Sequence, residues 1–235
     1  MRFDQAIEGV IRRVPGWDQI AAGEYVLLEG KPEGAPRILF LGNSITWHGP
    51  KADIGWSGNW GMAASCRERD YVHLLMDRVL KICPGAAFCI VQGAVWERSL
   101  DQCDLEACFA PARNFRADIV CYTLGANVPS EAFEPRGYKA AMRRLLHYLG
   151  DAAHARFIIG TNFWNDAKAG AAREFARENG LPMAELSDLL IPEENRAVGL
   201  FEHQGVANHP GDLGMERIAG RIWEKMEPML KEWTE

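Results

Sequence analysis

The sequence predicts a single α/β domain built on a parallel sheet. From Arg37 onward, short apolar runs rich in strand-forming residues alternate with longer stretches of helical spacing, and this alternation is typical of strands joined by crossover helices. Four of the five strand candidates are apolar on both faces, as strands buried between two helical layers are. A length of 235 residues suits one domain with a substantial core rather than two full domains.

The predicted elements follow one another in alternating order. The strand candidates are Arg37–Leu41, Ala87–Val91, Asp118–Leu124, Arg156–Gly160 and a weaker one at Leu181–Leu186. The helix candidates are Tyr71–Lys81, Arg136–Leu149, Asp166–Asn179 and Gly211–Trp233, the last opened by a Pro-Gly-Asp sequence that favours a helix start. The charged region from Glu97 to Arg116 suits a helix or a lid.

Residues 1–34 are predicted to form an N-terminal extension that packs on the domain formed by residues 35–235. The extension contains a helical pattern from Phe3 to Val14 and an extended stretch, Glu24–Glu29. We expect it to cap the sheet or to supply an edge strand. Charged residues interrupt its apolar positions, so we do not expect a signal peptide.

Composition excludes several classes of function. The net charge of −6 opposes a nucleic-acid partner, because phosphate backbones require a basic face. No stretch approaches the roughly 18 apolar residues of a membrane span. The six cysteines form no CxxC pair and no zinc-ligand spacing, and Cys89 and Cys121 lie inside apolar runs, so we expect reduced thiols, a cytoplasmic protein and no metal site.

Residues that directly follow the predicted strands carry the candidate chemistry. In an open parallel sheet, ligands bind beyond the carboxyl ends of the strands. A serine, Ser44, follows the first strand, Gly93 follows the second and Asn127 follows the third, while His209 precedes the last helix. Together they offer a nucleophile, a base that can take its proton, and N–H donors for an oxyanion.

The order of these four blocks resembles the SGNH hydrolases, also called GDSL-like esterases, over nearly the whole chain from Arg37 onward. The resemblance implies a flavodoxin-like three-layer α/β/α fold with a parallel sheet of about five strands, and hydrolysis of acyl esters without a cofactor. By this comparison, Ser44 is the nucleophile and His209 the base. Ser44, Gly93 and Asn127 form the oxyanion hole.

Three positions depart from the family pattern. Asn43 stands where many members have aspartate, and Val128 stands where aspartate often follows the asparagine. Val206 occupies the position of the usual triad aspartate, three residues before the histidine. Loss of that acid in triad enzymes can cost on the order of 10⁴ in turnover, so another group must orient the imidazole. In order of preference we expect Glu202, a main-chain carbonyl, or Asp212.

Aromatic and imidazole side chains near the strand ends are candidates for contacts with substrate. Trp47 and His48 follow the nucleophile block, while Trp96 and Trp164 follow the second and fourth strands. Indole rings can stack on the apolar faces of sugars, and they pack equally well in a hydrophobic core. These four residues are therefore predicted substrate contacts, with core packing as the alternative.

The sequence and its resemblance to the SGNH hydrolases favour a serine esterase that acts on small or medium acyl esters, with O-acetylated carbohydrate as the leading substrate class. A lysophospholipase or thioesterase for longer acyl chains is the nearest alternative. Because the usual aspartate is missing, a catalytically silent binding module is a second. A flavodoxin-like nucleotide or flavin binder is a third, although Gly42–Thr46 supplies few glycine and hydroxyl groups for a phosphate loop. The expected partner is a small-molecule acyl ester. The sequence leaves open whether the protein forms a homo-oligomer.

Overall fold

A seven-stranded sheet organises the protein in a computed structural model that describes residues 20–30, 34–150, 154–164 and 166–233. The predicted helix from Phe3 to Val14 lies outside these residues. Along the chain, the strands are β1 (Ile20–Gly23), β2 (Val26–Glu29), β3 (Arg37–Gly42), β4 (Ala87–Gln92), β5 (Ile119–Tyr122), β6 (Arg156–Gly160) and β7 (Met183–Ala184).

The strands lie in the order β1-β2-β4-β3-β5-β6-β7. The five strands from β3 to β7 pair in parallel, so the predicted parallel sheet is confirmed. The extended stretch Glu24–Glu29 supplies β2, which pairs antiparallel with β4, and β1 pairs antiparallel with β2. A hairpin from the N-terminal segment thus extends the same sheet.

Helices cover both faces of the sheet. They are α1 (Tyr71–Ile82), α2 (Ala94–Ser99), α3 (Leu105–Asn114), α4 (Pro135–Leu149), α5 (Ala167–Glu178), α6 (Gln204–Ala207) and α7 (Asp212–Leu230). Buried side chains of α3, α4 and α5 pack against one face of the sheet, and those of α1 and α7 pack against the other. This is the predicted three-layer α/β/α architecture. Because α3 buries its apolar side in the core, that region is a layer of the fold rather than a lid.

The connection after β3 creates the place where a ligand can bind. The chain passes from β3 to β4 on one side, and β5 then pairs with the other side of β3. The loops that follow these strands therefore diverge above β3, and ligands of doubly wound sheets bind at such a switch point.

A buried ionic cluster ties the N-terminal hairpin to the loop beside the strand ends. Glu29 on β2 pairs with Arg67 and with His73 of α1, and His73 Nδ1 lies 2.7 Å from an oxygen of Asp70. Burial raises the pKa of Glu29, but the charges of His73 and Arg67 outweigh that effect and hold it at about 2. Asp70 also accepts the N–H of Gly61 at 2.9 Å, which anchors the long loop between β3 and α1.

Three findings concern the thiols, the helices and the metal-ligating side chains. All six cysteines are free, and Cys89 and Cys121 are buried in β4 and β5. Within the described ranges, no helix has both the length and the apolar character needed to cross a membrane. No group of metal-ligating side chains gathers there either.

Candidate active site

Ser44 lies in a tight turn directly after β3. The carbonyl of Asn43 accepts the N–H groups of Thr46 and Trp47 at 2.9 and 3.0 Å. A side chain at Gly42 would place its Cβ 1.8 Å from Thr46 Oγ1, so this turn requires glycine. The Ser44 carbonyl accepts the Met62 N–H at 2.8 Å, which joins the turn to the loop held by Asp70.

His209 reaches the same point from the other end of the chain. Its Nε2 lies 2.8 Å from Ser44 Oγ, a hydrogen-bond distance that lets the imidazole take the hydroxyl proton. The short helix α6 and the start of α7 flank His209, and its N–H donates to the Val206 carbonyl at 2.9 Å. The structure therefore brings together two residues that are 165 positions apart.

The second imidazole nitrogen is held by the main chain. Nδ1 of His209 lies 2.6 Å from the carbonyl oxygen of Gly205, so Nδ1 carries the proton and Nε2 is free to accept one. Glu202 is exposed and makes no hydrogen bond to the ring within the described part of the chain. The carbonyl that we ranked second thus replaces Glu202, which we ranked first.

The other two positions considered for an acid also serve the structure. Asp212 accepts the N–H and the hydroxyl of Ser65 at 2.8 and 2.7 Å. Val206 is fully buried and packs in a small apolar cluster that includes Trp56 and Met62. An unpaired carboxylate at position 206 would have to be desolvated in that cluster, which is costly.

The surroundings of His209 favour the neutral imidazole. Burial lowers the pKa of His209 to about 4, the Gly205 carbonyl opposes that change in part, and His48 adds a small lowering effect. The ring of Trp164 packs edge-on against the imidazole with 5.4 Å between centroids. At neutral pH His209 is therefore a neutral base rather than a cation.

The three predicted oxyanion donors differ in the acceptors that their N–H groups meet. The Ser44 N–H has no acceptor among the described residues, and the Asn127 side chain lines the cleft above Ser44. The prediction for Gly93 needs correction, because its N–H donates to the Gly42 carbonyl at 2.6 Å and so continues the β3–β4 ladder. An N–H engaged in this way is not free to bind an oxyanion.

Sequence reasoning missed Glu97, a fully buried carboxylate at the foot of the site. Its Oε1 accepts the N–H groups of Gly125 and Asn127 and the amide of Asn43, at 2.5, 3.3 and 3.2 Å, respectively. Its Oε2 accepts the side-chain amide of Asn127 at 2.5 Å. An acidic residue in the first turn of a six-residue helix gives no sequence signal of burial, because only the fold brings these donors to it.

Ser44, Asn127 and His209 share one cleft of about 870 Å³, a size that holds a small-molecule ligand. Trp47 and His48 line this cleft, and Trp47 is also buried in the core. Trp96 does not, since it is 1% exposed and packs on Tyr122 and Tyr138. The alternative of core packing is therefore correct for Trp96. Trp164 packs against the His209 ring and is not among the residues that line the cleft.

Comparisons with known proteins yield structural matches alone. No family model matches the sequence, and no curated protein matches it. Among solved structures, TesA matches with a TM-score of 0.52 and 16% identity, over 82% of this chain and 99% of TesA. A carbohydrate esterase of family 3 from Talaromyces cellulolyticus matches with a TM-score of 0.50 and 17% identity, over 83% and 98% of the two chains.

A third match is larger than this chain. A two-domain esterase active on acetylated mannans, crystallised with mannopentaose, matches with a TM-score of 0.53 and 18% identity. The match covers 83% of this chain and 50% of that enzyme. This chain has the SGNH hydrolase fold. In this chain, Ser44 follows β3, Asn127 follows β5 and His209 contacts Ser44, so the three residues lie at one edge of the sheet.

Proposed function

We propose that the protein is a serine ester hydrolase with Ser44 as nucleophile and His209 as general base. The observation that carries the proposal is the 2.8 Å contact between Ser44 Oγ and His209 Nε2, inside a cleft that also contains Asn127. A hydroxyl, an unprotonated imidazole and a free N–H donor in one cleft are the components of acyl transfer. A silent binding module would not need the imidazole in its neutral, proton-accepting form.

The proposed reaction has two half-reactions. Ser44 Oγ attacks the ester carbonyl carbon while His209 Nε2 takes the hydroxyl proton, and the Ser44 N–H and the Asn127 amide stabilise the oxyanion. The tetrahedral intermediate collapses, the imidazolium gives its proton to the leaving alcohol, and an acyl group remains on Ser44. A water molecule activated by His209 then releases the acid and restores the serine.

We propose small or medium acyl esters as substrates, and O-acetyl groups on carbohydrate as the leading class. The cleft is open and partly polar, with Gln92, Arg98 and His48 in its lining, which suits a hydroxylated alcohol portion better than a long alkyl chain. The similarity to an esterase active on acetylated mannans supports the same class. The similarity to TesA does not distinguish acyl lengths.

The first test is hydrolysis of p-nitrophenyl acetate by the wild type and by Ser44→Ala. The wild type is expected to turn over the ester, and the variant is expected to retain only background activity. Ser57→Ala is the matched control, because Ser57 is an exposed serine of the neighbouring loop and should leave the rate unchanged. Hydrolysis that persists in Ser44→Ala would refute the proposed nucleophile.

The second test concerns the acyl group and the alcohol. We expect release of acetate from acetylated mannan and xylan oligosaccharides, and a fall in kcat/KM from p-nitrophenyl acetate to the decanoate. A rise in kcat/KM with chain length, together with no release of acetate from the oligosaccharides, would favour a thioesterase or lysophospholipase instead.

A further inference from the structure

Glu97 has surroundings unlike those of any other acidic side chain near the cleft. It is 0% exposed, and no Arg, Lys or His pairs with it among the described residues. Its four hydrogen-bond partners are all N–H groups, two from the main chain and two from side-chain amides. N–H groups can bond only to lone pairs, and an ionised carboxylate offers enough of them on both oxygens.

The partners of Glu97 come from two separate segments of the site. Asn43 precedes the nucleophile in the turn after β3, whereas Gly125 and Asn127 belong to the loop after β5. Glu97 itself stands on α2, which follows β4. One carboxylate therefore joins the ends of three adjacent strands at the switch point, where the two parts of the site must keep a fixed separation.

We propose that Glu97 is a positioning residue that orients the Asn127 side chain for stabilisation of the oxyanion. This inference rests on the proposed esterase function. The Asn127 amide group has two N–H bonds, and Glu97 Oε2 accepts one of them at 2.5 Å. The other N–H is left for the cleft. Without this acceptor, the amide can rotate about its side-chain torsions and present its own oxygen to the cleft, which would repel an oxyanion.

The residues next to the proposed nucleophile and next to Asn127 fit this role. Asn43 precedes Ser44 and Val128 follows Asn127, and neither side chain carries a carboxylate. Glu97 contacts Asn43 and Asn127 directly, and it supplies a carboxylate between them from a third segment. The pKa of Glu97 is raised on balance, because burial raises it by more than the hydrogen bonds from Asn127, Gly125 and Asn43 lower it. The four donors thus favour the ionised form that burial disfavours.

Glu97→Gln is the most selective variant, because it preserves size and shape. Its remaining oxygen can keep the three donors that now reach Oε1, while its NH₂ group faces the Asn127 amide, donor against donor. Glu97→Gln should therefore disturb Asn127 more than the rest of the site. Glu216→Gln is the matched control, since Glu216 is an exposed acid on α7 and its side chain makes no hydrogen bond within the described residues.

The experiment is a double-mutant cycle with Asn127→Ala, measured as kcat and KM for p-nitrophenyl acetate. In the wild-type background, Glu97→Gln is expected to lower kcat by about 10- to 100-fold, as supporting contacts to active residues do, with KM changed less than about threefold. In the Asn127→Ala background, the same substitution should lower kcat by less than about threefold, because its target is gone. A purely structural role would give equal losses in both backgrounds.

Three outcomes are distinguishable. Equal losses of kcat in the two backgrounds, or full activity of Glu97→Gln, would overturn the role of Glu97 and leave the esterase intact. Absence of Ser44-dependent hydrolysis in the wild type would refute the proposed function and this role with it. If Glu97→Gln does not fold, Glu97→Asp completes the same cycle, because it keeps the charge but shortens the reach to Asn127.

Discussion

His209 and Asn127 both line the cleft beside Ser44, yet different kinds of acceptor hold them. The His209 ring is fixed by one main-chain carbonyl, that of the exposed Gly205 in the short helix α6. The Asn127 amide is fixed by the fully buried carboxylate of Glu97. Among the described residues, no carboxylate bonds to the ring of the proposed base, whereas a carboxylate bonds to the proposed oxyanion donor.

The different acceptors have different physical consequences for His209 and for Asn127. A carbonyl at Nδ1 selects the tautomer and orients the ring, but it brings no negative charge to stabilise an imidazolium. The lowered pKa of His209 agrees with that situation. On the Asn127 side, the carboxylate can hold a neutral amide in place through four hydrogen bonds shared with its neighbours. The imidazole of His209, the proposed base, is thus kept neutral. The amide of Asn127, the proposed oxyanion donor, is held in one orientation.

The largest expected effect is loss of the base. We expect His209→Ala to lower kcat by about 10⁴-fold or more, because the serine hydroxyl then has no proton acceptor within reach. The measurement is initial-rate hydrolysis of p-nitrophenyl acetate. His147→Ala, a change of an exposed histidine on α4, should leave the rate as it is. Substantial activity in His209→Ala would show that the carbonyl-held imidazole is not the base.

Removal of the Asn127 amide should lower kcat by less than removal of the His209 imidazole does. We expect Asn127→Ala to lower kcat by about 10²- to 10³-fold with little change in KM, since the donor acts on charge that forms only in the transition state. Steady-state kinetics would check this split, with Asn114→Ala at the exposed end of α3 as the control. A change in KM alone would mean that Asn127 binds the ground state of the substrate.

The pH profile tests how the base is held. A histidine with a pKa of about 4 stays neutral, and so able to accept a proton, as the pH falls from 8 to about 5. The kcat/KM should therefore stay nearly constant over that range and decline only at lower pH. A histidine with the ordinary pKa of about 6.5 would have lost roughly nine-tenths of its neutral form at pH 5.5. A midpoint near 6.5 would show that a negative charge compensates the burial of His209.

The smallest expected effect is that of Glu202. We expect Glu202→Ala to change kcat by less than about threefold, because the Gly205 carbonyl already occupies Nδ1 and Glu202 is exposed. The same esterase assay measures it. A fall in kcat on the order of 10⁴, such as triad enzymes show without their acid, would mean that Glu202 holds the His209 ring during turnover. A carboxylate would then support His209 as well as Asn127, and the contrast between the two residues would disappear.

Most of the fold was predictable because strand and helix patterns are local. The run Arg156–Gly160 coincides with β6, and the candidates at Arg37–Leu41 and Ala87–Val91 each lie one residue short of the observed strand. The last predicted strand, Leu181–Leu186, is longer than the observed two-residue β7, because only two residues of this stretch pair with β6. The stretch Glu24–Glu29 was expected to be a cap or an edge strand, and its antiparallel pairing depends on β4, far along the chain.

The sequence predicts Ser44, Asn127 and His209 because each stands after a strand or before the last helix, in an order of blocks that resembles the SGNH hydrolases. The tertiary structure decided which acceptor each polar group meets. It put the Gly93 N–H on a neighbouring carbonyl, Trp96 in the core and the Gly205 carbonyl at the imidazole. Hydrogen bonds and burial depend on contacts between distant segments. Glu97, whose donors come from two other strand ends, was visible only after folding had brought those segments together.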